Sequence, residues 1–202
     1  MAHGASQRFQ RRVSGVSGPQ SLNAHKSRTK NRKMEQPDLT TMLRVLYAEL
    51  IDGAPESGAY MLNKGDAGLL TSLDNLSASA ASKSSAGGAS IAAHVDHLRY
   101  GLSLMNRWAA GEKRPWTDAD WTQSWRISSV TDAEWTRLRE ELRREARAWL
   151  NAASTPREMN SIQLNIVVGN IAHLAYHLGA IRQIDRSTRG PTAEEEARLS
   201  RG

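Results

Sequence analysis

The chain has 202 residues, enough for one domain with a real core, and no cysteine, which excludes disulfides, thiolate metal sites and a cysteine nucleophile. Its net charge of +6 is unevenly placed: residues 1–33 carry eight Lys/Arg and no acid, which leaves 19 of the 27 basic residues against all 21 acidic ones, so the body is slightly acidic and no specific nucleic-acid partner is expected. No apolar run approaches the roughly 18 residues of a membrane span, and a cytoplasmic protein without a membrane partner is expected.

Residues 1–33 are rich in Ser, Gly, Gln and Arg and cannot bury enough surface to offset their ordering entropy, so they read as a disordered basic tail. An inert tail, or a reading frame extended upstream of Met34, is favoured over a functional basic arm. From Leu39 the pattern becomes helical, with Leu39, Met42, Leu43, Leu46, Leu50 and Ile51 at spacings of three and four, and it ends at Gly53-Ala54-Pro55. After an irregular stretch, Asp66 is placed to cap a segment carrying Leu69, Leu70, Leu73 and Leu76, and residues 77–88 read as its end plus a loop. Ser90 caps a helix to about Trp108 with the stripe Ile91, Val95, Leu98, Leu102 and Met105. Residues 111–130 read as a loop with at most a short helical turn. Thr131 and Glu134 form a capping box for a helix bearing Trp135, Leu138, Leu142 and Trp149. Beyond Pro156 a last helix runs from Asn165 to Ile184, and residues 188–202 read as a fraying tail. No stretch alternates with period two, so the expected fold is all-α, a four-helix bundle over residues 34–187.

Four of the six histidines sit on two of these helices. His173 and His177 are four apart in His173-Leu174-Ala175-Tyr176-His177. That spacing turns both rings to one helix face, beside the apolar positions Val167, Leu174 and Ile181. Two imidazoles there need partners or face a desolvation cost of roughly 2–7 kcal/mol each, and one divalent cation satisfies both. His94 and His97, three apart, offer a third ligand. Periodicity places His94 nearer the centre of the Ile91–Val95–Leu98 stripe and His97 at its edge, so the choice between them stays open on spacing alone. Three neutral imidazoles hold zinc, nickel or iron and leave positions for water or substrate.

Residues 34 to 185 resemble the DinB/YfiT superfamily of four-helix metal-binding proteins. The residues that carry the resemblance are Ser90-Ile91, then His97-Leu98, then His173-x-x-x-His177-Leu178-Gly179 with Ile181 trailing. The resemblance implies a DinB-like bundle with His97, His173 and His177 as ligands to one divalent metal, zinc or nickel, and His94 as a second-shell or alternate ligand. It implies a metal-dependent thiol S-transferase acting on small electrophiles with a low-molecular-weight thiol as cosubstrate. A metal-dependent hydrolase and a non-catalytic bundle with a structural metal are the alternatives; a homodimer is compatible with each. Many members carry Gln three residues after the last His, where this chain has Ala180, and Asn63 to Leu70 suggests an insertion of its own.

Trp116, Trp121 and Trp125 crowd the loop after the second main helix. They are expected to pin that loop by indole packing, with an aromatic lid as the alternative. Arg99, Arg107, Arg182 and Arg186 could recognise an anionic substrate, although a solvated charged face is the expectation for most of them. Asp96 points about 100° away from His97 and is not expected to be a general base.

Overall fold

The structure is a computed structural model that describes residues 36–189, 193–199 and 201. The expected basic tail, residues 1–33, lies outside the described residues. Among the described residues the chain is helical and holds no strand, only the isolated bridges Gly53–Ala67 and Ser84–Ser90.

The first helix, α1 (Gln36–Asp52), buries Leu43, Tyr47, Leu50 and Ile51. Met42, expected on its core face, is 51% exposed. The helix stops at Gly53, which takes φ +115° and donates its N–H to the Glu49 carbonyl; a positive φ there suits glycine. Glu49 is buried, and its carboxylate accepts the backbone N–H groups of Tyr60, Met61 and Leu62 at 2.9, 2.7 and 2.6 Å. That fan of charge-assisted bonds folds the irregular stretch back on α1.

The leucines after it form α2 (Leu69–Asp74), a shorter helix than the spacing suggested, with Leu76 buried just past its end. Its N-cap is Gly68 rather than Asp66. A Cβ at Gly68 would stand 2.4 Å from the backbone of Asp52 and Gly53, so only glycine lets the two segments meet. Asp66 instead pairs with Arg182 across the molecule at 2.9 Å, both side chains largely buried. The Ser/Ala stretch expected as loop contains α3 (Ala78–Ala81), capped by Ser77.

The helix from Ser90 is α4 (Ile91–Ala109), with the Ser90 hydroxyl accepting from Ala93 N–H at 3.1 Å and the whole expected stripe buried. Thr131 and Glu134 form the capping box of α5 (Asp132–Ala153). Trp135 and Trp149 of α5 are 2% exposed, and Trp135 Nε1–H donates to the Leu76 carbonyl at 2.7 Å, tying α5 to the end of α2. The last long helix, α6 (Ser161–Ile184), starts four residues before the apolar pattern does. Asn160 and Gln163 cap it reciprocally, an Asn-x-x-Gln version of the same box. Residues 188–202, read as fraying, instead include α7 (Ala193–Leu199), and a 3-10 turn at Arg186–Thr188 precedes it. Asp185 accepts from Lys83 Nζ at 3.0 Å, which fastens the end of α6 to the segment after α3.

In this arrangement α4 packs on α5 and α6, while α1 packs on α5 and α6 from another side. One contiguous apolar cluster joins all four. Helix α6 carries a single charged residue, Arg182, and leaves Ile162, Val168 and Tyr176 exposed. By length and composition it is long and apolar enough to cross a membrane, which amends the expectation that no such run exists; a core helix passes the same test.

Two glycines make opposite predictions. Gly68→Ala should lower stability by about 2–4 kcal/mol, a fall in Tm of roughly 5–15 °C, because backbone blocks the new methyl group. Gly169→Ala, in mid-α6 with nothing within 4 Å of the new atom, should leave Tm unchanged or raise it by the roughly 1 kcal/mol that alanine gains in a helix. Thermal unfolding followed by circular dichroism checks both; equal behaviour of the two variants would contradict the packing at Gly68.

Candidate metal centre

The Ser90 cap fixes where α4 begins, and from there His94 and His97 fall on its first and second turns, facing α6. The 24 residues of α6 place His173 and His177 one turn apart opposite them. His97 and His177 are 7% and 2% exposed, while His173 and His94 are half-buried.

The rings meet nitrogen to nitrogen. His173 Nε2 lies 3.2 Å from His97 Nε2 and 2.9 Å from His177 Nε2. On the far side of its ring, His177 Nδ1 lies 2.8 Å from His94 Nδ1. The ligand atoms of His97, His173 and His177 all lie within 4.8 Å of one another, so these three histidines could hold a metal ion.

The donor chemistry fits a cation better than it fits protons. A neutral imidazole nitrogen carries either one proton or one in-plane lone pair. His173 Nε2 faces two other Nε2 atoms and can satisfy only one of them by a hydrogen bond. Three bare Nε2 lone pairs turned to a common point remove that conflict. The two separations from His173 Nε2, 3.2 and 2.9 Å, are near the roughly 3.3 Å that separates two nitrogens about 2.05 Å from a tetrahedral zinc. In the matching tautomers His177 carries its proton on Nδ1 and donates it to His94 Nδ1. In that state His94 would hold the orientation of His177, in the place where a carboxylate, carbonyl or water usually accepts from a metal-binding histidine. His97 Nδ1 is buried without a hydrogen-bond partner.

Electrostatics point the same way. Burial, with the mutual repulsion of the rings as the smaller cause, pushes His177 down to about 3 and His97 down to about 4, from the ordinary value of 6.5. Burial lowers His94 and His173 as well. All four rings are therefore neutral at pH 7 and hold their lone pairs ready.

The connector between α4 and α5 lies against this cluster. Trp125 stacks on His97 with ring centroids 4.4 Å apart and planes 28° apart, and it meets His94 edge-on at 5.5 Å. Trp121 lies 5.9 Å from His97 and 5.6 Å from Tyr100. Trp121 and Trp125 pack on the bundle as expected, and the surface they pack on is the histidine rings. Both remain about 40% exposed and rest on the histidine rings as an aromatic cover, and Trp116 makes no ring contact with a histidine. Hydrogen bonds pin the loop as well. Ser124 Oγ donates to Asp96 at 2.6 Å, Ser90 Oγ to the Ile127 carbonyl at 2.6 Å, and Asp120 N–H to the Tyr100 hydroxyl at 3.2 Å.

Asp96, one residue from a ligand candidate, is thus committed to Arg99 and Ser124 and is not a base for this site. The arginines singled out by sequence are mostly committed too: Arg99 to Asp96, Arg107 to Glu112, and Arg182 to Asp66. Sequence reasoning missed Arg126 and Arg137, which line a cavity beside the cluster; nothing in their spacing marks them. Comparison of the chain with protein-family models, with curated proteins and with solved structures finds no match in any of the three.

Depressed imidazole pKa values make stability depend on pH in a defined window. Above about 6.5 both folded and unfolded chains keep these rings neutral. As pH falls from 6.5 through 4, the unfolded chain takes up protons that the folded cluster refuses, so folding stability drops. In urea unfolding of metal-free protein, the free energy should fall between pH 6.5 and 5, before carboxylates titrate, and less steeply in His94→Ala/His177→Ala. A flat profile over that window contradicts buried neutral rings.

Proposed function

We propose that this chain is a DinB-like four-helix bundle, built of α1, α4, α5 and α6, that holds one zinc or nickel ion on His97, His173 and His177. We propose further that it is an S-transferase joining a low-molecular-weight thiol to a small electrophile. The observation that carries this reading is the meeting of three Nε2 atoms at His173, a contact that protons alone cannot satisfy. When bound at such a site, a divalent cation lowers the pKa of a thiol far enough for it to react as thiolate.

The residues of the chain supply the rest. His94 Nδ1 accepts a hydrogen bond from His177 Nδ1–H and so keeps that ring's Nε2 bare and aimed inward. Three protein nitrogens leave coordination positions for small molecules, as catalytic sites do. Trp125 and Trp121 cover one side of the rings, exclude water there and offer flat apolar faces to a flat apolar electrophile. Among the described residues the histidines have no carboxylate as a hydrogen-bond partner, and Asp96 is occupied by Arg99 and Ser124. A hydrolytic water benefits from such a base, whereas a thiol held as thiolate does not need one, and this favours transfer over hydrolysis.

A non-catalytic bundle with a structural metal is the second reading; it requires His94, which lies near the cluster with its Nδ1 2.8 Å from His177 Nδ1, to turn inward as a fourth ligand and close the site.

Elemental analysis of protein purified without a histidine tag should find about one equivalent of divalent metal. His173→Ala should lose it, and His94→Ala should keep it with affinity reduced by about 10- to 100-fold. Complete loss in His94→Ala points to the structural reading, and no uptake by wild type after dialysis against zinc or nickel overturns the site. Loaded protein should consume small thiols with a haloaromatic electrophile. Turnover of esters or amides with no thiol consumed would replace the transferase reading with the hydrolase.

A further inference from the structure

A cavity of about 440 Å³ opens between α4, α5 and the connector that joins them. That is within the range of small-molecule sites. Consecutive residues divide between it and the histidines. His97 belongs to the cluster and Asp96 lines the cavity; Trp125 stacks on the rings and Arg126 lines the cavity. It is therefore a separate space sharing one wall with the metal centre, and nothing in the reading above uses it.

Its formal charges balance, with three arginines against three carboxylates, but their commitments do not. Asp96 is held by Arg99 and Ser124, and Glu141 faces Arg99 at 3.6 Å. Glu134 accepts from both the N–H and the hydroxyl of Thr131 in the capping box of α5, and those bonds hold its carboxyl below the usual range. Arg126 and Arg137 make no ion pair among the described residues; Asp120 and Glu134 act on them only at longer range. The uncommitted groups of the cavity are thus two guanidinium groups, planar forks suited to a carboxylate. Ile127, Val130 and Leu138 supply an apolar side. The three resident carboxylates work against a dianion or a polyanion, so a single negative group on an apolar body matches the lining best.

We propose that this cavity binds a small carboxylic acid with an apolar body, its carboxylate held by Arg126 and Arg137 and its body against Ile127, Val130 and Leu138. The site is independent of the metal centre and stands whether or not a metal binds there.

The test is calorimetric and NMR titration of the full chain, with no metal added, using 4-phenylbutyrate, its neutral amide and inorganic phosphate. The acid should bind about tenfold or more tightly than the amide, since a charge-assisted pair contributes that much. Arg126→Gln and Arg137→Gln should each weaken the acid by roughly fivefold or more with helicity unchanged, both side chains being exposed. His173→Ala should leave acid binding intact while it removes metal binding, which separates failure of this site from failure of the metal centre. Equal binding of acid and amide, wild-type affinity in Arg126→Gln/Arg137→Gln, or no saturation of the acid by about 10 mM overturns the proposal. Phosphate binding more tightly than the acid overturns it as well, by removing the apolar body.

Discussion

Four imidazoles meet nitrogen to nitrogen at 2.8 to 3.2 Å, two contacts joining α4 to α6 and one lying within α6, in a place that disfavours charge. A second proton on any one of them would place a charge where burial disfavours it, and burial pushes every one of these pKa values down. Much around the cluster serves that constraint. Helix α6 is apolar nearly all round, with its one charge, Arg182, beyond the second histidine. On α4 the neighbouring carboxylate, Asp96, is turned to Arg99 and Ser124 rather than to the rings. The Nε2 atoms of His97, His173 and His177 could consequently hold a cation, while the His94–His177 contact is of hydrogen-bond length.

Holding α4 and α6 in register is the work of contacts far from the histidines in sequence. Arg182 reaches the buried Asp66 and the Ala67 carbonyl, so the C-terminal part of α6 is tied to the segment before α2. That segment is pressed on the end of α1 at Gly68, where no side chain fits, and Glu49 draws Tyr60, Met61 and Leu62 to the same helix. Removing either member of the Asp66–Arg182 pair would strand a buried charge, which is why such pairs matter more when broken than when made. The surface pairs Arg143–Asp74 and Arg147–Asp52, by contrast, are half-exposed and contribute little.

The connector between α4 and α5 gives the site its shape. Its short 3-10 turn, Gln123–Arg126, is bound to α4 through Ser124 and Asp96, and the following Ile127 through Ser90. Ser90 thus both caps the helix that carries two histidines and anchors the loop that covers them. One turn of chain presents an indole to the rings and a guanidinium to the neighbouring cavity, so cover and cavity wall are set by the same two hydrogen bonds.

What could be read from the sequence was whatever depends on local periodicity and capping. The stripes of α4 and α5, the Ser90 cap, the Thr131–Glu134 box and the helical character of the chain follow from side chains three and four residues apart, and local forces suffice to form them. The shared face of His173 and His177 was legible for the same reason. The rest is a matter of which helices meet. Only tertiary contact turns His97 toward the α6 pair and His94 to the outer side of His177, a distinction that spacing on α4 left open. Only tertiary contact takes Asp66 from capping to pairing with Arg182, and makes Gly68 obligatory where its sequence context suggests merely a loop glycine. The Asn160–Gln163 box lies ahead of the apolar pattern of α6, which starts a turn later, so periodicity alone does not reach it. The resting place of Trp121 and Trp125 on the histidines was beyond the sequence, since a loop's path is decided by hydrogen bonds to residues some thirty positions away.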